Sequence, residues 1–78
     1  MPTVLRVGPY RFFFYASDHD EPIHIHVRRD RYKARFWLWS VALAVNKGFP
    51  DHQLKQIEKL VTDHRQELIR EWHDYFGT

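Results

Sequence analysis

Apolar and polar side chains alternate with a period of two through the first half of the chain, and from Phe49 the period lengthens to three or four. The first pattern predicts strands and the second a helix. Thr3–Val7 and Tyr10–Tyr15 are β-rich runs on either side of the turn dipeptide Gly8-Pro9. Asp18–Pro22 is polar and carries a proline, which predicts a loop. Ile23–Arg29 and Tyr32–Leu38 form a second hairpin around Asp30-Arg31. Residues 41–45 are apolar and fit either a short helix or an extended connection. Leu54, Ile57, Val61, His64, Leu68 and Trp72 then fall on one helical face, which predicts a single amphipathic helix over residues 51–76. Pro50 or Asp51 suits its start and Gly77 its end.

The expected architecture is an α+β domain spanning residues 1–78. It has a four-stranded, mainly antiparallel sheet of two hairpins, with the long C-terminal helix across one face. Closure of the first hairpin at Gly8-Pro9 sets Leu5 and Val7 beside Phe12 and Tyr10, with Arg6 beside Arg11. Symmetric closure of the second pairs Val27 with Ala34, Ile25 with Phe36, His26 with Arg35, His24 with Trp37 and Arg28 with Lys33. Each hairpin therefore sorts into an apolar face and a His/Arg/aromatic face. One helix covers only one face, so Phe12, Ile25, Val27 and Phe36 are expected beneath Ile57, Val61 and Leu68. The other face is left to solvent, a partner or a second copy.

Composition narrows the class. There is no cysteine, which excludes a disulfide framework and a thiolate zinc site. Neither a secretory h-region nor an apolar run of membrane-spanning length is visible, so the sequence predicts a soluble cytoplasmic protein with no membrane partner. Stability at this size falls to aromatic burial, from six Phe, four Tyr and three Trp. The net charge of +2 is unevenly spread. Residues 1–48 carry eight Lys/Arg against four Asp/Glu, and residues 49–78 carry four against six. The basic part suits a polyanionic or acidic partner.

The chemistry concentrates in His24-Ile25-His26-Val27-Arg28 and the acidic loop before it. Alternation puts His24, His26 and Arg28 on one side. Two imidazoles there can converge on an ion, with His19, Asp18 or Glu21 completing the site. An N/O donor set suits zinc, copper or nickel. The same face also has the makings of metal-independent RNA cleavage, with His24 or His26 moving protons and Arg28 and Arg35 stabilising phosphate charge. Tyr15 or Trp37 can stack a base. A third reading is protein capture through the aromatics Phe13, Tyr15, Trp37 and Trp39, with Arg11 on the same face, by a small cognate protein or a second copy. Against all three stands the ordinary role of such residues as polar surface, with some rings packed under the loop and the 39–48 segment. His64 on the apolar stripe reads as a half-buried core histidine.

Several motifs occur together: Met1-Pro2-Thr3-Val4, Tyr10-Arg11-Phe12-Phe13-Phe14-Tyr15, Glu21-Pro22 running into His24-Ile25-His26-Val27, and Ala34-Arg35-Phe36-Trp37-Leu38. Asn46-Lys47-Gly48-Phe49 and the terminal Trp72-His73-Asp74-Tyr75-Phe76 complete the set. In this order the chain resembles domain of unknown function 4160. The resemblance implies a small bacterial or archaeal protein, commonly encoded beside another small protein, and hence a toxin–antitoxin-like role. Two positions depart from the pattern. Trp39-Ser40 stands where members have Asp-Pro or Glu-Pro, and Pro50 where Ser is common. The expected function is a binding module that uses the His/Arg/aromatic face for a protein, RNA or DNA. A small ribonuclease and a histidine-based metal protein are the alternatives.

Overall fold

The computed structural model describes residues 3–78, so the Met1-Pro2 part of the opening motif lies outside the described residues. Five strands, β1 (Thr3–Val7), β2 (Tyr10–Phe13), β3 (His24–Arg29), β4 (Tyr32–Trp37) and β5 (Ala42–Lys47), form an antiparallel meander in the order β1-β2-β3-β4-β5. Two helices follow, α1 (Asp51–Asp63) and α2 (Arg65–Phe76). The α+β class and the residue pairings of both predicted hairpins hold. The count of four strands does not, nor does the single long helix.

The fifth strand is the apolar segment after residue 40. Without it, β4 would present an unpaired row of backbone N–H and C=O groups. The pairing carries a bulge: Arg35 faces Val45 and Phe36 faces Leu43, which leaves Ala44 as the extra residue. The helix is interrupted at His64, whose φ of −105° and ψ of 12° leave the helical region. Two side chains hold the break. His64 Nδ1 donates to the Leu60 carbonyl at 2.9 Å, a carbonyl that also accepts from the His64 backbone N–H at 3.0 Å. Arg65 reaches across to the β4–β5 turn, donating to the carbonyls of Leu38 at 2.6 Å and Trp39 at 3.0 Å. Pro50 is the N-cap of α1 and, lacking a side-chain acceptor, offers no capping hydrogen bond.

The core lies between the sheet and the helices. Phe12, Phe14, Ile25, Val27 and Phe36 pack with Ile57, Val61, Leu68 and Trp72 in one buried cluster. Trp72 stands edge-on to Phe14, ring centres 5.3 Å apart. The opposite face is less open than the alternation predicts, because Phe13 and His24 are 1% and 0% exposed. The cover is the supposed loop, which contains a short 3-10 turn over Ala16–Asp20 that buries Asp18. β2 accordingly ends at Phe13 rather than Tyr15, since the Tyr15 N–H leaves the ladder to bond the Asp18 carboxylate. Among the described residues, no helix is long and apolar enough to cross a membrane.

Candidate functional site

Strand alternation delivers His24 and His26 to one face, and the 3-10 turn brings a carboxylate to them. Asp18 Oδ2 accepts from the Tyr15 N–H at 2.8 Å and from His26 Nε2 at 2.9 Å. His24 Nδ1 donates to the Pro22 carbonyl at 2.8 Å. A carbonyl only accepts, so Nδ1 carries the hydrogen and the Nε2 of neutral His24 is a lone pair. That Nε2 faces Asp18 Oδ1 at 3.3 Å, yet it is buried without a hydrogen-bond partner. The contact has the distance of an ion pair without the geometry of a hydrogen bond.

Aromatic rings fix both imidazoles. His26 stacks on Phe13 at 5.4 Å and meets Tyr15 edge-on at 4.7 Å. His24 lies between Trp37 at 5.7 Å and Trp72 at 5.2 Å. Burial lowers the pKa of His26 below the usual histidine value by penalising its charged form. The Asp18 carboxylate pulls the other way and is outweighed. His26 is therefore a neutral imidazole near pH 7, bonded through Nε2 and with no partner for Nδ1 among the described residues.

A second pattern crosses the same face. Arg6 pairs with Arg11, Arg11 with Arg28, Arg28 with Lys33 and Lys33 with Lys47. One cation from each strand thus stands in a single row, spanning about 19 Å at the usual strand spacing. Like charges directly opposite each other destabilise a sheet. Among the described residues, no acidic side chain forms an ion pair with any of the five. The neighbouring row runs Phe13, His26, Arg35 and Val45. Where the rows meet on β4 and β5 lies a shallow concavity of about 340 Å³, lined by Tyr15, His26, Lys33, Ala34, Arg35, Val45 and Lys47.

The residues singled out in the sequence separate into groups. His24, His26 and Asp18 come together, with ligand atoms all within 4.8 Å of one another. His19 does not join them; it is exposed and turned to Asp20 at 3.2 Å. Glu21 pairs with Arg35 at 3.2 Å instead. His24 is too buried to touch a partner directly. Arg11 lies over the Phe13 ring and Arg35 over Trp37, at 4.9 and 5.3 Å. Arg28 stands exposed in the cation row, its Nε donating to the Asp30 carbonyl. Arg6, Lys33 and Lys47 were not among the sequence candidates. Arg6 and Lys33 were visible inside single hairpins, but the row appears only once β2 is set beside β3 and β5 beside β4. Comparison with curated proteins and with solved structures gave no match. The model of the family described as Domain of unknown function (DUF4160) matches residues 10–73, and since that spans most of the 78 residues, the chain belongs to this family.

Proposed function

We propose that the chain is a nucleic-acid-binding module, the binding member of a toxin–antitoxin-like pair, whose sheet face grips a single-stranded RNA backbone. The observation that carries this reading is the cation row Arg6–Arg11–Arg28–Lys33–Lys47. A phosphate chain laid along it would relieve the repulsion between neighbouring cations and release its own counterions. The half-exposed Tyr15 lines the concavity beside Lys33 and Lys47, and the half-exposed Trp37 lies two same-face positions along β4 from Lys33, so both can offer rings to bases. The helix layer carries the acidic part of the chain, which orients a polyanion toward the sheet.

Fluorescence anisotropy with a labelled single-stranded RNA, titrated at several salt concentrations in chelator, tests this. Four or five phosphate contacts predict a log–log salt slope of about −3. Arg28→Ala and Lys33→Ala should each weaken binding and flatten the slope by about 0.7. Lys59→Ala, on the helix side where Lys59 is paired with Asp63, should change neither. Absence of binding at low salt, or equal losses in Lys59→Ala and Lys33→Ala, sinks the reading. Binding only to a small acidic protein would replace it with protein capture. RNA cleavage by the pure protein, unaffected by chelator and lost in His26→Ala, would replace it with a nuclease.

A further inference from the structure

We propose that Asp18, His24 and His26 form a zinc site with one coordination position left open. The starting point is His24. Its ring is wholly buried, its Nδ1–H is committed to the Pro22 carbonyl, and its Nε2 lies 3.3 Å from a carboxylate oxygen without hydrogen-bonding to it. In the neutral form of His24 that nitrogen and the Asp18 oxygen are two acceptors 3.3 Å apart, the nitrogen otherwise unpartnered, and a metal cation between them resolves the arrangement as a proton on Nε2 would. A bound divalent ion would take both lone pairs and remove the orphaned group.

The spacing agrees. Four bonds of about 2.0–2.1 Å arranged as a tetrahedron place neighbouring ligand atoms about 3.3 Å apart. His24 Nε2 and Asp18 Oδ1 already have that separation. His26 Nε2 lies 2.9 Å from Asp18 Oδ2, and all three ligand groups fit within 4.8 Å. The widest of these separations, up to 4.8 Å, would have to shorten on binding. Zinc would take the place of the hydrogen that His26 Nε2 donates to Asp18, and that hydrogen would pass to the unpartnered Nδ1.

The supporting shell is in place for two of the three ligands. Each ligand of a built metal site is normally held by a further hydrogen bond. The Pro22 carbonyl holds His24, and the Tyr15 N–H holds Asp18. His26 is clamped between Phe13 and Tyr15. Pro22 and the 3-10 turn that carries Asp18 belong to one short connection, so the loop between β2 and β3 supplies both a ligand and the bond that orients another.

Donor chemistry selects the ion. Two imidazoles and one carboxylate are a poor set for magnesium or calcium, which take mostly oxygen. Zinc accepts this mixture, and three protein ligands plus an exchangeable fourth is its usual open arrangement. His26, though neither Asp18 nor His24, also walls the concavity beside Lys33 and Arg35, so a fourth, exogenous ligand would reach the ion past the His26 ring. The inference does not depend on nucleic-acid binding, because zinc uptake needs no RNA and the RNA titration is run in chelator.

Calorimetric titration of zinc chloride into chelator-stripped, untagged protein tests it. We expect one ion per chain at micromolar or tighter affinity, with a thermal midpoint that rises on zinc addition. His26→Gln and Asp18→Asn keep volume and polarity, so they should fold while weakening zinc at least tenfold and abolishing the thermal shift. His24→Ala should do the same or fail to fold, and the two near-isosteric variants decide the matter in either case. Cobalt added to wild-type protein should give the visible bands of tetrahedral coordination. His19→Ala and His52→Ala should leave uptake unchanged. No saturable zinc uptake, uptake undiminished in His26→Gln and Asp18→Asn, or equal loss in His19→Ala would each overturn the site.

Discussion

At the scale of single residues, backbone conformation separates three turn positions that composition alone treats alike. Asp30, in the β3–β4 turn, has φ of 54°, a left-handed conformation that Asp tolerates. Val41 has φ of 46°, which a β-branched residue adopts only under strain. The family resemblance flagged Trp39-Ser40 just before it, and the turn there is indeed unusual. Gly48 is different again, with φ of +102° and space for a Cβ only 2.7 Å from Tyr32 Cδ1. The Tyr32 ring cannot retreat freely, because it packs against Phe49 at 5.5 Å. Gly48→Ala should therefore cost about 2–3 kcal/mol from backbone strain and ring displacement together. Gly8→Asn, at φ of +55° with nothing near its Cβ, should cost far less because Asn visits that region. Urea unfolding of both variants measures the contrast, and equal losses would refute it. The sequence did reveal that His24 and His26 share a face, since alternation alone decides it. The acid that meets them stays open between Asp18 and Glu21, because a turn's path is set by hydrogen bonds such as Tyr15 N–H to Asp18 that no periodicity encodes.

Among the elements, the interrupted helix shows why a clean pattern can mislead. Leu54, Ile57, Val61, His64, Leu68 and Trp72 keep helical spacing straight through the break. α1 and α2 both dock on the same sheet face, so one apolar stripe serves them both. What marks the interruption is a set of polar bonds, from His64 to Leu60 and from Arg65 to Leu38 and Trp39. β5 escaped for the opposite reason. As an edge strand with mostly exposed side chains, it has no buried face to impose an alternation. Arg65 joins these two elements. Arg65→Met keeps the apolar stem but deletes both bonds to the β4–β5 turn. Each such bond from a charged donor is worth about 1.5–3 kcal/mol, discounted here because Arg65 is half-exposed. A loss of about 1–2 kcal/mol in urea unfolding is expected. Arg65→Lys, which lacks the forked guanidinium, should recover less than half of it. Parent-like stability in Arg65→Met would mean that the turn is held by other contacts.

For the molecule as a whole, one core carries everything described above. The buried residues of sheet and helices form a single cluster, and the candidate site is attached to it through Trp72, which touches both Phe14 in the core and His24. A five-stranded sheet with a basic outer face cannot stand alone, because its inner face of Phe12, Ile25, Val27 and Phe36 needs the helices to exclude water. Helix, sheet and histidine cluster should then melt together. Far-UV circular dichroism, dominated by the helices, and tryptophan fluorescence, which reports Trp37 and Trp72 beside His24, should give the same urea midpoint. Separated midpoints would mean that the site side of the sheet persists without its helical cover. Ile57, fully buried in that cluster, supplies the sharper test. Ile57→Asp places a carboxylate among apolar side chains, where an unpaired buried charge costs several kcal/mol. Total stability of a domain this small is of order 5 kcal/mol, so the variant should be largely unfolded at 25 °C by both signals. A cooperative transition near the parent midpoint would place Ile57 outside the core and undo the helix-on-sheet packing on which the site depends.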